Sequence, residues 1–138
     1  MILVSACLIG INCKYSGDNN ENEEVKEYLK GKDFTLVCPE QLGGLSTPRP
    51  PAEIVDGKVI TKEDNKDVTE NFVRGAEETL KIARLYVCSE AILKEGSPSC
   101  GCNLVYDGSF SGKKIPGKGI TAKLLEEEGI KVKSEKDL

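Results

Sequence analysis

The chain has 138 residues, a formal net charge of −4 and neither histidine nor tryptophan. This length fits one domain, residues 1–138, with a real hydrophobic core, and the charge gives no general attraction to nucleic acid or an anionic membrane. The missing histidine excludes Ser-His-Asp and Cys-His nucleophile systems and any metal site that needs an imidazole, which leaves the chemistry to Cys, Ser, Asp, Glu, Lys, Arg, Tyr or a bound cofactor.

In chain order, Ile2 to Ala6 reads as a strand, apolar throughout as a strand covered on both faces would be. Cys7 closes it. Asn22 to Lys30 reads as a short helix: Val25, Tyr28 and Leu29 have helical spacing, the first turn is acidic, and Gly31 can end it. Phe34 to Val37 is a second expected buried strand, closed by Cys38-Pro39-Glu40. The span from Pro39 to Pro51 has four prolines and two glycines, so it reads mostly as an irregular loop of the kind that carries function. Glu53 to Thr61 reads as a hairpin with an Asp56-Gly57 turn. Asp67 is the expected N-cap of the best helix, with Glu70 placed for a capping box and Val68, Phe72, Val73, Ala76, Leu80 and Ala83 on one apolar stripe. Leu85 to Cys88 fits a helix end or a strand start. Ala91 to Lys94 is the third core strand, broken by Gly96-Ser97-Pro98-Ser99-Cys100-Gly101-Cys102. Leu104 to Phe110 resembles a hairpin or loop excursion, Thr121 to Glu128 a helix ended by Gly129, and Ile130 to Val132 the last strand. The alternation predicts an α/β, Rossmann-like single domain with a largely parallel sheet flanked by helices.

No stretch reaches the ~20 apolar residues of a membrane span, and the N-terminus has no signal-peptide pattern. The expected location is the cytoplasm, with no membrane or DNA partner. In a reducing compartment the six cysteines read as metal-binding or thiol chemistry rather than a disulfide framework. Cys7, Cys38 and Cys100 each lie just after a predicted strand. In open parallel sheets ligands bind beyond the carboxyl ends of the strands, so these three thiols can meet in one crevice. Three thiolates are soft ligands for zinc, copper(I) or an iron–sulfur cluster; each alone is also a small buried hydrophobe. Cys88 reads as structural, and Cys13 and Cys102 as neighbours of the site or a fourth ligand. Glu40 would sit beside a group held by Cys38, as a proton-transfer group or a cap. Ser97 could touch substrate or only shape a Ser-Pro turn. Arg49 fits an anion or an exposed position, and Lys113 to Gly119, ahead of a helix, is a weak anion-loop pattern.

Val4-Ser5-Ala6-Cys7-Leu8-Ile9-Gly10, Cys38-Pro39-Glu40 with Gly43-Gly44-Leu45 and Pro48-Arg49, and Ser97-Pro98-Ser99-Cys100-Gly101 occur in this order. Together with Asp67-Val68-Thr69 and the segment Ile115 to Ala122, they make the chain resemble the small stand-alone form of the thiouracil desulfidase family. The resemblance implies an oxygen-sensitive [4Fe–4S] enzyme that converts C=S to C=O in thiolated nucleobases or nucleotides and releases hydrogen sulfide. It implies Cys7, Cys38 and Cys100 as cluster ligands, Glu40 as the base that activates water, and Ser97 as the group that orients substrate or relays a proton. A non-catalytic iron–sulfur or sulfur-handling protein is the competing expectation.

Overall fold

The computed structural model describes all residues, 1–138. The chain runs β1 (Ile2–Ser5), a 3-10 turn (Ala6–Ile9), α1 (Glu23–Leu29), β2 (Phe34–Val37), α2 (Pro39–Leu42), β3 (Ala52–Val55), β4 (Lys58–Thr61), α3 (Thr69–Leu85), β5 (Glu90–Leu93), β6 (Leu104–Tyr106), β7 (Lys114–Pro116), α4 (Ile120–Glu127), β8 (Lys131–Ser134) and a closing 3-10 turn (Glu135–Asp137). Four strands form one parallel sheet in the order β2-β1-β5-β8. The expected α/β architecture with a parallel sheet is the one found.

Strand side chains alternate between the two faces of the sheet. Ile2, Val4 and Ile92 pack with Val25 and Leu29 of α1 on one face. Leu3, Ala91 and Leu93 pack with Leu80 and Ala83 of α3 and Ala122 and Leu125 of α4 on the other. From β1 the chain moves to β2 on one side and later returns to β5 on the other. The carboxyl ends of β1 and β5 therefore flank a topological switch point, where a ligand crevice opens in sheets of this kind.

Several local expectations are corrected. β2 is an edge strand, not a buried one: only β1 pairs with it, and Phe34 is 39% exposed. Pro39–Leu42, expected as loop, is one helical turn with proline at its start, where the missing N–H costs nothing. The Asp67–Glu70 capping box does not form. Helix α3 begins at Thr69, and Asp67 instead accepts the Thr69 N–H and hydroxyl at 2.9 and 2.6 Å. The Thr69 hydroxyl oxygen accepts the Val59 N–H at 2.8 Å, so a contact to β4 overrides the local cap. Val73 lies off the buried stripe and is exposed. Leu85 ends α3, and Tyr86 and Val87 form a turn before β5. Leu104–Tyr106 does form a hairpin, pairing antiparallel with β7 across a long connection.

The short helix α2 lies directly on α3, backbone against backbone. A Cβ on Gly75 would stand 2.0 Å from the Pro39 carbonyl oxygen, and one on Gly43 would stand 2.0 Å from that of Asn71. Only glycine allows this approach. It fixes the position of the segment that carries Cys38 and Glu40.

Candidate functional site

Cys7 is the second residue of the turn that follows β1. Cys38 caps α2 directly after β2. Cys100 sits in the loop after β5 and is buried. All three line one cavity of ≈ 370 Å³, together with Glu40 and Ser97. The five residues singled out from the sequence therefore share one crevice at the carboxyl edge of the sheet.

The loop that carries Ser97 and Cys100 is held from inside. The buried carboxylate of Glu95 accepts the backbone N–H groups of Cys102, Asn103 and Leu104 through Oε1 at 3.1, 3.0 and 3.0 Å, and the Asn103 side-chain amide through Oε2 at 2.7 Å. Burial alone would raise the Glu95 pKa, but these donors overcome it and hold the carboxyl at about 2. From the other side the first N–H groups of α4 donate to the loop: Ile120 to the Pro98 carbonyl at 2.9 Å and Thr121 to that of Ser99 at 2.9 Å. A helix start has unpaired donors, and here they clamp the loop. This also revises the reading of Lys113 to Gly119 as an anion loop. Lys114–Pro116 is strand β7, and the Gly117 and Gly119 N–H groups donate to the carbonyls of Asn103 and Gly101.

Ser97 shapes the turn and also lines the cavity. Its Oγ accepts the N–H groups of Ser99 and Cys100 at 3.0 Å each, which makes the turn. Its proton is left to point at Glu40 Oε2, 3.5 Å away. The other Glu40 oxygen accepts Arg49 Nε at 3.0 Å. Arg49 was expected to bind an anion or stand exposed; its side chain is instead only 6% exposed and is consumed by internal contacts. It donates to Glu40, to the Ser46 and Cys13 carbonyls at 3.1 and 2.8 Å, and to the Thr47 hydroxyl at 2.9 Å. One guanidinium thus ties the carboxylate to the segments carrying Cys13 and Thr47. The Pro48 and Pro50 neighbours of Arg49 were the signal in the sequence: they stiffen the chain on both sides of the residue that must reach inward.

The thiols are not equivalent. Cys13 lines the same cavity and stands beside both Cys7 and Cys38. A hydrogen bond from Cys13 lowers the Cys7 pKa against the effect of burial, and the Asn20 amide adds to it. Cys38 is held down to about 6, first by Cys13, with burial opposing, and then by the Gln41 N–H and the Arg49 charge. Cys13 is pushed up in return by these hydrogen bonds to Cys38 and Cys7. Its single proton can serve only one of them at a time. Cys100 is pushed up to about 12 by burial, with the Ser5 hydroxyl opposing and the charges of Cys7 and Glu40 adding to the rise. Cys102 is also raised to about 12, by burial and then by Glu95 and Asp137; it does not line the cavity. Cys88 lies in the core beside α3 and α4, as expected of a structural thiol.

No three Cys, Asp or Glu side chains converge as ligands of a single metal ion. Cys7, Cys13, Cys38 and Cys100 line the cavity, and soft donors spread in this way could hold a multi-atom iron–sulfur cluster.

Fold and site together define an α/β domain with a thiol-lined cavity at the carboxyl edge of a parallel sheet. A sequence profile of the 2-thiouracil desulfurase family matches residues 2–137, and the chain belongs to that family. It is 47% identical over 148 aligned positions to the uncharacterized protein YbbK of Bacillus subtilis (strain 168), covering 100% of this chain and 97% of that one. The fold is also that of a solved structure, the [4Fe-4S]-dependent thiouracil desulfidase TudS, with a TM-score of 0.90 and 44% identity over 99% of this chain and 91% of that one.

Proposed function

We propose that the protein is a cytoplasmic [4Fe–4S]-dependent desulfidase that hydrolyses the C=S group of a thiolated nucleobase or nucleotide to C=O and releases hydrogen sulfide. The observation that carries the reading is the meeting of Cys7, Cys38, Cys100, Glu40 and Ser97 around one cavity. Family membership and the likeness to a [4Fe-4S]-dependent desulfidase support it. Cys7, Cys38 and Cys100 would hold the cluster. When bound there, the cluster would supply a Lewis acid that polarises C=S.

The remaining chemistry belongs to the chain. Water and the thiocarbonyl compound give the carbonyl compound and hydrogen sulfide, so no electron donor is needed. Glu40 takes a proton from the attacking water at the carboxylate oxygen that faces Ser97. Arg49 fixes the opposite oxygen and so sets the direction of that lone pair. Ser97 is held by its two backbone donors with its proton toward Glu40, and it orients substrate or passes that proton on. Tyr15, Tyr106 and Phe110 on the lining suit a flat heteroaromatic ring, and Lys14 and Lys62 suit the phosphate of a nucleotide form. No helix is long and apolar enough to cross a membrane.

Anaerobically reconstituted protein is expected to release sulfide from 2- or 4-thiouracil or a thiolated nucleotide. Glu40→Ala with a full cluster is expected to release none. A fully loaded protein that releases no sulfide from any of these compounds would refute the activity. Transfer of the cluster to an apo-acceptor, indifferent to Glu40→Ala, would make the protein a carrier.

A further inference from the structure

Two polar side chains outside the proposed acid–base pair direct hydrogens at candidate ligand sulfurs. Ser5, the last residue of β1, is 2% exposed. Its Oγ accepts the Lys94 backbone N–H at 3.0 Å. A hydroxyl has one proton, and with Lys94 on the oxygen lone pair that proton is left for Cys100 Sγ, 3.5 Å away. Asn20 stands in the same relation to Cys7. Its Nδ2 donates to Cys7 Sγ at 3.4 Å, while its backbone N–H donates to the Cys7 carbonyl at 2.9 Å. Two residues on, the Asn22 N–H donates to the Leu8 carbonyl at 2.9 Å. The segment is thus stitched to the turn that bears Cys7, and the amide is held against the sulfur. Both Ser5 and Asn20 line the cavity.

We infer that Ser5 and Asn20 are positioning residues that set the electronic character of the cluster through an O–H···S bond to Cys100 and an N–H···S bond to Cys7. The inference rests on the ligand assignment proposed above. A sulfur that accepts a hydrogen bond donates less charge to iron. Hydrogen bonds to the ligand sulfurs also stabilise the more negative, reduced cluster over the oxidised one. Both effects suit a hydrolytic desulfidase. The iron facing substrate gains Lewis acidity, which the polarisation of C=S requires, and no redox step is needed in return.

The test is the reduction potential of the reconstituted protein, followed by the electron paramagnetic resonance of the reduced cluster during an anaerobic titration. Asn20→Leu carries the decisive reading, because its side chain makes no hydrogen bond except the one to Cys7 Sγ. It is expected to load the parent's iron and sulfide content and to show a more negative midpoint potential. Asn20→Asp keeps the size but replaces the donor with a carboxylate, and is expected to shift further in the same direction. Ser5→Ala is expected to shift negatively too, and the double variant Ser5→Ala/Asn20→Leu by about the sum, since the two bonds fall on different ligands. A merely structural role would change cluster content or melting and leave the potential of the loaded fraction where it was. The inference is overturned if fully loaded Asn20→Leu has the parent's potential. It is equally overturned if Asn20→Leu cannot hold a cluster anaerobically, which would make the residue an assembly requirement. The potential is read whether or not the protein turns over: a shift in a protein that releases no sulfide sustains the inference and removes the desulfidase activity.

Discussion

Cys100 and Cys38 face one cavity under opposite conditions. Cys100 belongs to a loop with its backbone groups spoken for, by Glu95 beneath, by the start of α4 behind and by the Ser97 hydroxyl within. Its thiol is buried and raised to about 12. Cys38 sits at the start of a single helical turn beside Cys13, Arg49 and Cys7, and its thiol is held down to about 6. One wall is a braced socket in which burial favours the protonated thiol. The other favours the thiolate. In the metal-free protein, thiol reactivity is therefore expected to concentrate on the Cys38 wall.

The largest expected effect lies in that contrast. In metal-free protein at pH 7, iodoacetamide should modify Cys38 faster than Cys100 by roughly a thousandfold or more, because the thiolate is the reactive form. Peptide mapping by mass spectrometry reads both rates, and similar rates would abolish the distinction between the walls. Next is Arg49→Ala. It removes the partner of a half-buried carboxylate and the donor to the Cys13 carbonyl, for an expected loss of about 3 kcal/mol in denaturant unfolding. It should leave Cys100 labelling slow, because the loop wall does not depend on it. A loss within about 0.5 kcal/mol, the range of ordinary surface substitutions, would mean that the pair does not organise the reactive wall. The smallest effect is on the loop wall. The folded pKa of Glu95 is about 2, against about 4.3 in an unfolded chain. Its contribution to stability is therefore full above the unfolded value and is lost as pH falls from about 4.3 toward 2. Glu95→Gln keeps an acceptor oxygen but cannot titrate, so it should lower stability at pH 7 and flatten the acid end of the stability curve. An unchanged acid limb would show that Glu95 is not the loop's anchor.

The sequence made the crevice legible because its makers are local. Short apolar runs ending in Cys7, Cys38 and at the Gly96 break mark strand ends, and the sheet rule brings such ends together. Glu40 and Ser97 came with them by proximity in the chain. The sheet edge was not legible: whether Phe34 is covered depends on which strand pairs beyond it, and pairing is non-local. The Asp67 capping box failed for the same reason, since Val59 takes the hydroxyl oxygen of Thr69. Arg49 reads from sequence as a charged residue in a proline-rich loop; its role exists only because Glu40 and the Cys13 carbonyl arrive at its two ends. Glu95 and Asn20 likewise gain meaning from groups that the fold delivers to them. Cys13 and Cys102 read alike, but Cys13 lines the cavity and Cys102 is packed into the core.

Cys7, Cys38 and Cys100 are proposed to hold one [4Fe–4S] cluster between them. Iron and acid-labile sulfide, counted after anaerobic reconstitution of the parent and of the single alanine variants at all six cysteines, test it most directly. The account predicts about four irons and four sulfides per chain in the parent and in the Cys13, Cys88 and Cys102 variants, and no stable cluster in the Cys7, Cys38 or Cys100 variants. A full cluster in any of those three, or its loss in Cys13→Ala or Cys102→Ala, would contradict it.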